Sequence, residues 1–129
     1  MKEGDKFTQS FVVDEPTYKG FINVFKDNNP LHTDEGYAVS KGFKSRVMHG
    51  NILNGFLSYF VGECLPTKDV IIHSQQIGFS GPVYLNDKLE FEAVVSEVYE
   101  SVRTVKFKFL FKNAEGKKVA KGEIQIGLT

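Results

Sequence analysis

The sequence predicts an α+β fold in which an antiparallel β-sheet wraps around one long central helix. Three observations support this class. A chain of 129 residues has the size of one domain around one core, so we expect residues 1–129 to form a single domain. The segment from Asn51 to Glu63 is apolar around most of a helical circumference, which is typical of a buried helix. Four later segments alternate apolar and polar residues, as strands with one solvated face do.

The amino-terminal segment predicts a strand and then a helix. Phe7 to Val13 is short and apolar enough for the strand. Asp14-Glu15-Pro16 favours a helix start, because acidic residues and proline suit the free N–H groups of a first turn. A helix of about two turns is therefore expected from Thr17 to Phe25. The run from Asp27 to Pro30 must end it, since residues before proline avoid the helical conformation. His32 is then expected on a loop just beyond a helix end.

The rest of the chain predicts mainly strands. A short helix from Asp34 to Ser40 and a loop from Gly42 to His49 lead into the central helix. Asn113 to Gly116 has the composition of a hairpin turn. This arrangement is hotdog-like, and because its sheet leaves an edge strand that needs cover, we expect a homodimer. The predicted strands after the helix are Val70 to Phe79, Lys88 to Val98, Arg103 to Lys112 and Lys118 to Gly127.

The charge balance argues against two classes of partner. Lys plus Arg and Asp plus Glu number 16 each, so no basic excess exists to bind nucleic acid or an anionic membrane. Lys117, Lys118 and Lys121 form a local basic group that could meet an acidic carrier, although such runs are usually solvated. No apolar run approaches the roughly 20 residues that span a bilayer. Cys64 has no internal disulfide partner and no targeting segment is recognised, so the expected compartment is the cytoplasm.

A dense polar cluster lies where the chain leaves the first helix. It comprises Asp27, Asn29, Pro30, His32 and Asp34. Loops on a rigid scaffold often carry catalytic groups. An aspartate and a histidine five residues apart on a proline-fixed turn can point into one cleft and bind one water, with the histidine as base near neutral pH. The alternative is that Asp27 caps a turn and His32 is an ordinary surface imidazole.

Metal binding by this region is not expected. A calcium loop that starts at Asp27 would need glycine and glutamate where the chain has His32 and Ala38. His32, Asp34 and His49 lack the helical or paired spacings by which metal sites are recognised.

His49 and Gly50 stand at the beginning of the central helix. Free N–H groups there stabilise negative charge, and glycine lets a substrate oxygen approach the backbone, so Gly50 is a candidate for an oxyanion hole. The alternative is that Gly50 serves only the turn into the helix. Ser58 follows inside the helix, where a buried hydroxyl needs a partner. A hydrolase triad of Ser58, His32 and Asp27 is disfavoured, because a nucleophile normally needs a sharply turned, exposed position.

These residues together resemble the MaoC-like family, which includes (R)-specific enoyl-CoA hydratases. The family motif Asp-x-Asn-Pro-x-His-x-Asp is matched by the segment from Asp27 to Asp34. The resemblance implies a hotdog dimer that adds or removes water across the C2=C3 bond of an acyl-CoA or acyl-carrier-protein thioester, without a cofactor. The likeness continues through Tyr37-Ala38, Arg46 to Gly50, the helix with Ser58, Gly62 to Pro66, and Phe79 to Asp87.

The resemblance also implies roles for individual residues. Asp27 and His32 would be the catalytic pair, Gly50 would present the oxyanion N–H, and Ser58 would support the pair. Asn29 and Asp34 are expected to shape the loop. The residues predicted to contact substrate are Asn29, Tyr37, His49, Phe56 and Phe60, and for the three aromatic residues Tyr37, Phe56 and Phe60 a core role is an equal alternative.

Two departures from the family pattern bear on the site. Lys26 precedes Asp27 where the family often has glycine or glutamate, and a cation there is expected to favour the ionised carboxylate. Asn86 stands where a glycine often precedes Asp87, which asparagine tolerates because it accepts left-handed turns. Two other functions stay open on the same fold: a thioesterase, and a non-catalytic acyl-binding subunit.

Overall fold

A five-stranded antiparallel sheet forms the framework of the molecule. The computed structural model describes all 129 residues. The strands lie in the order β1-β3-β4-β5-β2, so β1 and β2 are the two sheet edges. Each predicted strand is present within one or two residues of its expected ends, which confirms the α+β hotdog class. The strands are β1 (Lys6–Val12), β2 (Val70–Phe79), β3 (Lys88–Tyr99), β4 (Thr104–Lys112) and β5 (Lys118–Leu128).

Four α-helices separate β1 from β2. None of them combines the length and the apolar character needed to cross a membrane. The fourth passes directly into a π-helical turn, Phe60–Cys64. The long central helix is therefore not α-helical over its whole length, contrary to the prediction. The helices are α1 (Glu15–Phe25), α2 (Pro30–Thr33), α3 (Glu35–Ser40) and α4 (Asn51–Tyr59).

The core lies between α4 and the inner face of the sheet. Phe60 is 1% exposed and packs against Phe91 and Phe107, with ring centroids 4.9 and 5.6 Å away. Phe11 of β1 stacks on Phe56 of α4 at 4.4 Å, and such aromatic pairs add about 0.5–1.5 kcal/mol beyond area burial. Burial of the central helix is one-sided, contrary to the prediction, because Tyr59 is 49% exposed.

Local hydrogen bonds fix both ends of α1. The Asp14 carboxylate accepts the main-chain N–H and the hydroxyl of Thr17 at 3.0 and 2.6 Å, which begins α1 and lowers the pKa of Asp14. Lys26 ends α1 in a left-handed conformation with φ 62° and donates its N–H to the Ile22 carbonyl. The chain therefore turns sharply immediately before Asp27.

Two predicted turns are also observed. Asn86 has φ 68°, so asparagine does occupy a left-handed position before Asp87. The hairpin between β4 and β5 has Gly116 at φ 78°, and the Asn113 side chain accepts the N–H groups of Glu115 and Lys117. These contacts define the conformation of the hairpin.

Candidate active site

The polar loop and the start of α4 meet at one cavity of about 330 Å³. The loop supplies Asp27 and His32, and the segment at the beginning of α4 supplies His49 and Gly50. Phe79, from the end of β2, lines the same space. Residues far apart in the sequence therefore line one cavity at the amino-terminal end of the central helix.

Asp27 and His32 face each other across a short gap. The Nε2 atom of His32 lies 3.8 Å from Oδ2 of Asp27. This distance is too long for a direct hydrogen bond, but one water oxygen can lie within hydrogen-bond distance of both atoms. The second carboxylate oxygen, Oδ1, accepts the Asn29 N–H at 3.1 Å, so Oδ2 is the oxygen directed to the pair.

The tautomer of His32 follows from its other nitrogen. Nδ1 lies 2.7 Å from the main-chain oxygen of Val47, and a carbonyl can only accept, so Nδ1 carries the hydrogen. In the neutral ring, Nε2 is then an unprotonated base directed toward Asp27. Buried Tyr18 holds the His32 main chain in place by donating its hydroxyl to the His32 carbonyl at 2.6 Å. His32 lies in the short helix α2 rather than on a loop, which corrects the prediction.

His49 lies behind the pair and is 4% exposed. Its Nε2 atom donates to the main-chain oxygen of Asp27 at 2.9 Å, and its ring stacks on His32 with centroids 3.9 Å apart. Its Nδ1 atom is buried and has no hydrogen-bond partner. Burial lowers the pKa of His49, because a second N–H would be desolvated and unsatisfied. The geometry makes His49 a neutral support for Asp27 and His32.

Gly50 is the residue that leads into α4. Its φ of −57° and ψ of −34° are open to any residue, so the turn itself does not require glycine. A Cβ atom at this position would lie 2.9 Å from the Phe79 ring, so any other residue requires that exposed ring to shift. The Gly50 N–H donates no hydrogen bond within the chain and stands at the helix end that favours negative charge.

Comparison with known proteins identifies the group to which this arrangement belongs. Residues 2–116 match the MaoC-like domain family. The chain belongs to the MaoC-like family. An (R)-specific enoyl-CoA hydratase of Rhodospirillum rubrum is 30% identical over 126 residues, which are 98% of this chain and 87% of that protein. The match with the 3-hydroxybutyryl-CoA dehydratase of Methylorubrum extorquens spans only 50% of that enzyme.

The solved structures of two R-hydratases superpose on the whole fold. The (R)-hydratase of Aeromonas caviae has a TM-score of 0.92 and 26% identity, over 100% of this chain and 98% of that chain. The unliganded R-hydratase of Pseudomonas aeruginosa has a TM-score of 0.89 and 30% identity, over 99% of this chain and 82% of that chain.

The pair and His49 also form a cluster of possible metal ligands. One donor atom each from Asp27, His32 and His49 lies within 4.8 Å of the others, whereas Asp34, the acidic partner considered from the sequence, is not in the group. One nitrogen of each histidine is hydrogen-bonded to a main-chain oxygen, and the three residues offer three ligand atoms, one fewer than a closed tetrahedral metal site uses. This geometry suits a proton-transfer pair better than a closed metal site.

Ser58 and Phe60 both lie outside the cavity of the pair within one chain. Ser58 is on the exposed side of α4 and forms no hydrogen bond with Asp27 or His32. Phe60 is a core residue, which is the alternative that the sequence left open beside a contact with substrate. Both positions arise because the sheet covers only one side of the central helix.

The other predicted residues have mixed positions. The Asn29 side chain accepts the Leu31 N–H at 2.9 Å and shapes the loop. Phe56 lines an apolar groove beside Asp27. Tyr37 is 40% exposed on α3 and lines neither that groove nor the cavity of the pair. Lys26 precedes Asp27 in the chain but forms no salt bridge with it.

Sequence reasoning missed four residues of the site. Tyr18 and Val47 hydrogen-bond His32, Phe21 packs on His49 with centroids 4.7 Å apart, and Phe79 contacts Gly50. The resemblance does include Val47 and Phe79, because both fall in segments similar to the family. Nothing in the spacing of the sequence indicates which atoms they contact.

Proposed function

We propose that this chain catalyses the (R)-specific hydration of 2-enoyl thioesters, or the reverse dehydration of 3-hydroxyacyl thioesters. It is thus a hydro-lyase, and the thioester on which it acts is linked to coenzyme A or to an acyl carrier protein. One observation carries the proposal: the Asp27–His32 pair and the free Gly50 N–H border the same cavity. Its relatives' names, which include hydratases and dehydratases, point to the same reaction.

The pair has the geometry to activate one water. His32 Nε2 accepts a proton from the water, while Asp27 Oδ2 accepts a hydrogen bond from the other O–H group of the water and orients it. The water oxygen bonds to C3, and the C2=C3 electron pair moves toward the thioester carbonyl. The proton taken by His32 is then returned to C2, so that one H and one OH have been added.

Gly50 acts on the charge that this step creates. The electrons displaced from C2=C3 accumulate on the thioester oxygen as an enolate. A fixed N–H at the end of α4 stabilises that oxygen more in the transition state than in the substrate. Removal of one such donor typically costs about a hundred- to a thousandfold in rate.

An apolar groove next to Asp27 suits the acyl chain. It has a volume of about 790 Å³ and shares Phe21, Asp27, Asn51 and Ile52 with the cavity of the pair. We propose that the tail of the substrate extends from the pair into this groove. The groove is lined by Val24, Phe25 and Phe56 as well as by the shared residues.

Incubation with crotonyl-CoA tests the proposed reaction. Loss of the enoyl absorbance without release of free thiol is the expected result. Release of free thiol would identify a thioesterase instead. Neither change, tested over a series of enoyl chain lengths on coenzyme A and on acyl carrier protein, would leave an acyl-binding subunit and overturn the proposal.

We also propose that the protein is a homodimer. Strand β2 is a ten-residue sheet edge with unpaired backbone groups on one side, and Ile71 on it is 55% exposed. Tyr59 is a second exposed apolar residue, on the uncovered side of α4. A second copy would cover both. Sedimentation at micromolar concentration should give a dimer, and a monomer would contradict this proposal.

A further inference from the structure

A second, polar cavity opens directly beside the cavity of the catalytic pair. It has a volume of about 420 Å³ and shares Gly81 and Pro82 with that cavity. The apolar groove adjoins the catalytic cavity through different residues, among them Asp27 and Phe21. The three spaces therefore form a series: an apolar groove, the catalytic cavity, and a polar cavity.

Three lysines line the polar cavity. Lys44 comes from the segment before His49, whereas Lys117 and Lys118 come from the hairpin and the start of β5. All three are exposed, and none forms a salt bridge. Lys44 Nζ lies 5.5 Å from the centroid of the Tyr84 ring, and no carboxylate neutralises any of the three cations.

Two carboxylates face the same cavity. Asp87 is engaged with the fold, because its Oδ2 accepts the Tyr84 N–H at 2.9 Å. Glu115 is exposed on the hairpin turn. Three ammonium groups against two carboxylates leave a positive balance, and the hairpin that carries two of the lysines is fixed by the Asn113 side chain.

The order of the cavities matches the order of groups in an acyl thioester. A phosphopantetheine thioester has an apolar acyl chain at one end, the reacting thioester in the middle, and a phosphate beyond the pantetheine arm. We infer that the cavity lined by Lys44, Lys117 and Lys118 binds the phosphate next to pantetheine, the group shared by coenzyme A and a carrier-bound arm. The inference rests on the proposed function, because it places the thioester at Asp27 and His32.

The short path between the two sites supports this assignment. Gly50 lies against the Phe79 ring, and Phe79 is followed by Ser80 and Gly81. The Ser80 N–H donates to the Val119 carbonyl, and its hydroxyl donates to the Lys118 carbonyl at 3.0 Å. The segment from Phe79 to Pro82 therefore runs from Gly50 to the cavity of the lysines and gives the pantetheine arm a surface to follow.

Three matched substrates separate phosphate binding from catalysis. They are crotonyl-pantetheine, crotonyl-phosphopantetheine and crotonyl-CoA, of which only the first lacks a phosphate. For Lys44→Gln combined with Lys118→Gln we expect kcat/KM to fall about tenfold with both phosphorylated substrates, mainly through KM. With crotonyl-pantetheine the same variant should match the wild type. Lys121→Gln is the control, since Lys121 is an exposed lysine of the same strand that does not line this cavity.

Each contrary result has a distinct meaning. An equal loss with all three substrates, or no loss with any, would overturn the inference while leaving the reaction intact. A loss with crotonyl-CoA alone would also overturn it, because the phosphate next to pantetheine would then lie elsewhere. If the wild type hydrates none of the substrates, the proposed function fails. Calorimetry with phosphopantetheine still decides the inference in that case, and equal affinities of wild type and double variant would overturn it.

Discussion

His32 and His49 stack with their ring centroids 3.9 Å apart and 30° between their planes, yet they have opposite roles. His32 leaves its Nε2 atom free toward Asp27, whereas His49 uses Nε2 to bind the Asp27 main chain. A charged His49 would repel a protonated His32 at this distance, which is one reason why its pKa is lowered. The stack thus places the imidazole that faces Asp27 against a second imidazole that burial keeps neutral.

Protonation of His49 should make stability fall in acid. Burial lowers the pKa of His49 from its ordinary value of 6.5, so below that pH the unfolded chain binds a proton there before the folded chain does. The stability that neutral His49 provides is therefore complete above pH 6.5 and is lost as the pH falls below it. The difference in unfolding free energy between wild type and His49→Gln should shrink from about pH 7.5 to about pH 5 in urea titrations. A constant difference would contradict this account.

Loss of either member of the pair should abolish most activity without unfolding the protein. Asp27→Asn and His32→Gln should each lower the hydration rate at least about a hundredfold, because one water needs both groups. The double variant should be little worse than either single one. Asp34→Asn is the control: Asp34 caps α3 through the Tyr37 N–H, a role that asparagine retains. Near-native turnover of a folded Asp27 or His32 variant would refute the mechanism.

Two substitutions at Gly50 can isolate its N–H group. Alanine keeps the N–H and adds a Cβ against the ring of Phe79, which is 52% exposed and can move. Proline adds the same atom but removes the N–H, and the φ of −57° is compatible with its ring. The activation free energy with Gly50→Pro should therefore be roughly 3 to 4 kcal/mol higher than with Gly50→Ala. Circular dichroism verifies that both variants are folded. Equal rates would remove the oxyanion role.

The stereochemistry of the product tests where the water lies. If Asp27 and His32 bind one water on one face of the enoyl group, the C3 hydroxyl and the C2 proton must arrive on that face. The addition in deuterated water should be syn. With the thioester oxygen at the Gly50 N–H only one face meets the pair, and the product should be 3R, as the names of the relatives indicate. An anti addition or a 3S alcohol, found by chiral analysis, would place the water elsewhere.

Strands and motifs that depend on residues close together in the sequence could be predicted. Contacts that depend on the tertiary fold could not. The alternation of Leu89, Phe91 and Ala93 is set by the pleat of a strand, and all three are buried as expected. The Asp27 and His32 pair was predicted because both residues lie in one short motif. The exposure of Ser58 was not predicted, because its orientation depends on which side of α4 the sheet covers.

The residues that hydrogen-bond with His32 illustrate the same limit. Tyr18 precedes His32 by fourteen residues and Val47 follows it by fifteen, and both contacts use a main-chain oxygen. Any residue type provides such an oxygen, so no residue pattern reveals the contact. The π-helical turn after Tyr59 was missed for a similar reason, since its residues are equally compatible with an α-helix.

Main-chain anchoring makes the orientation of both imidazoles resistant to point mutation. The partners of His32 and His49 are the carbonyl oxygens of Val47 and Asp27, which persist whatever side chain stands there. Side chains around the cavity are then free to vary during evolution, or in a designed library, without redirecting the base. Insertions or deletions between residues 27 and 50 have no such protection, because they displace the carbonyls themselves. Substitutions can therefore change the substrate preference, whereas insertions or deletions in this segment are expected to abolish the activity.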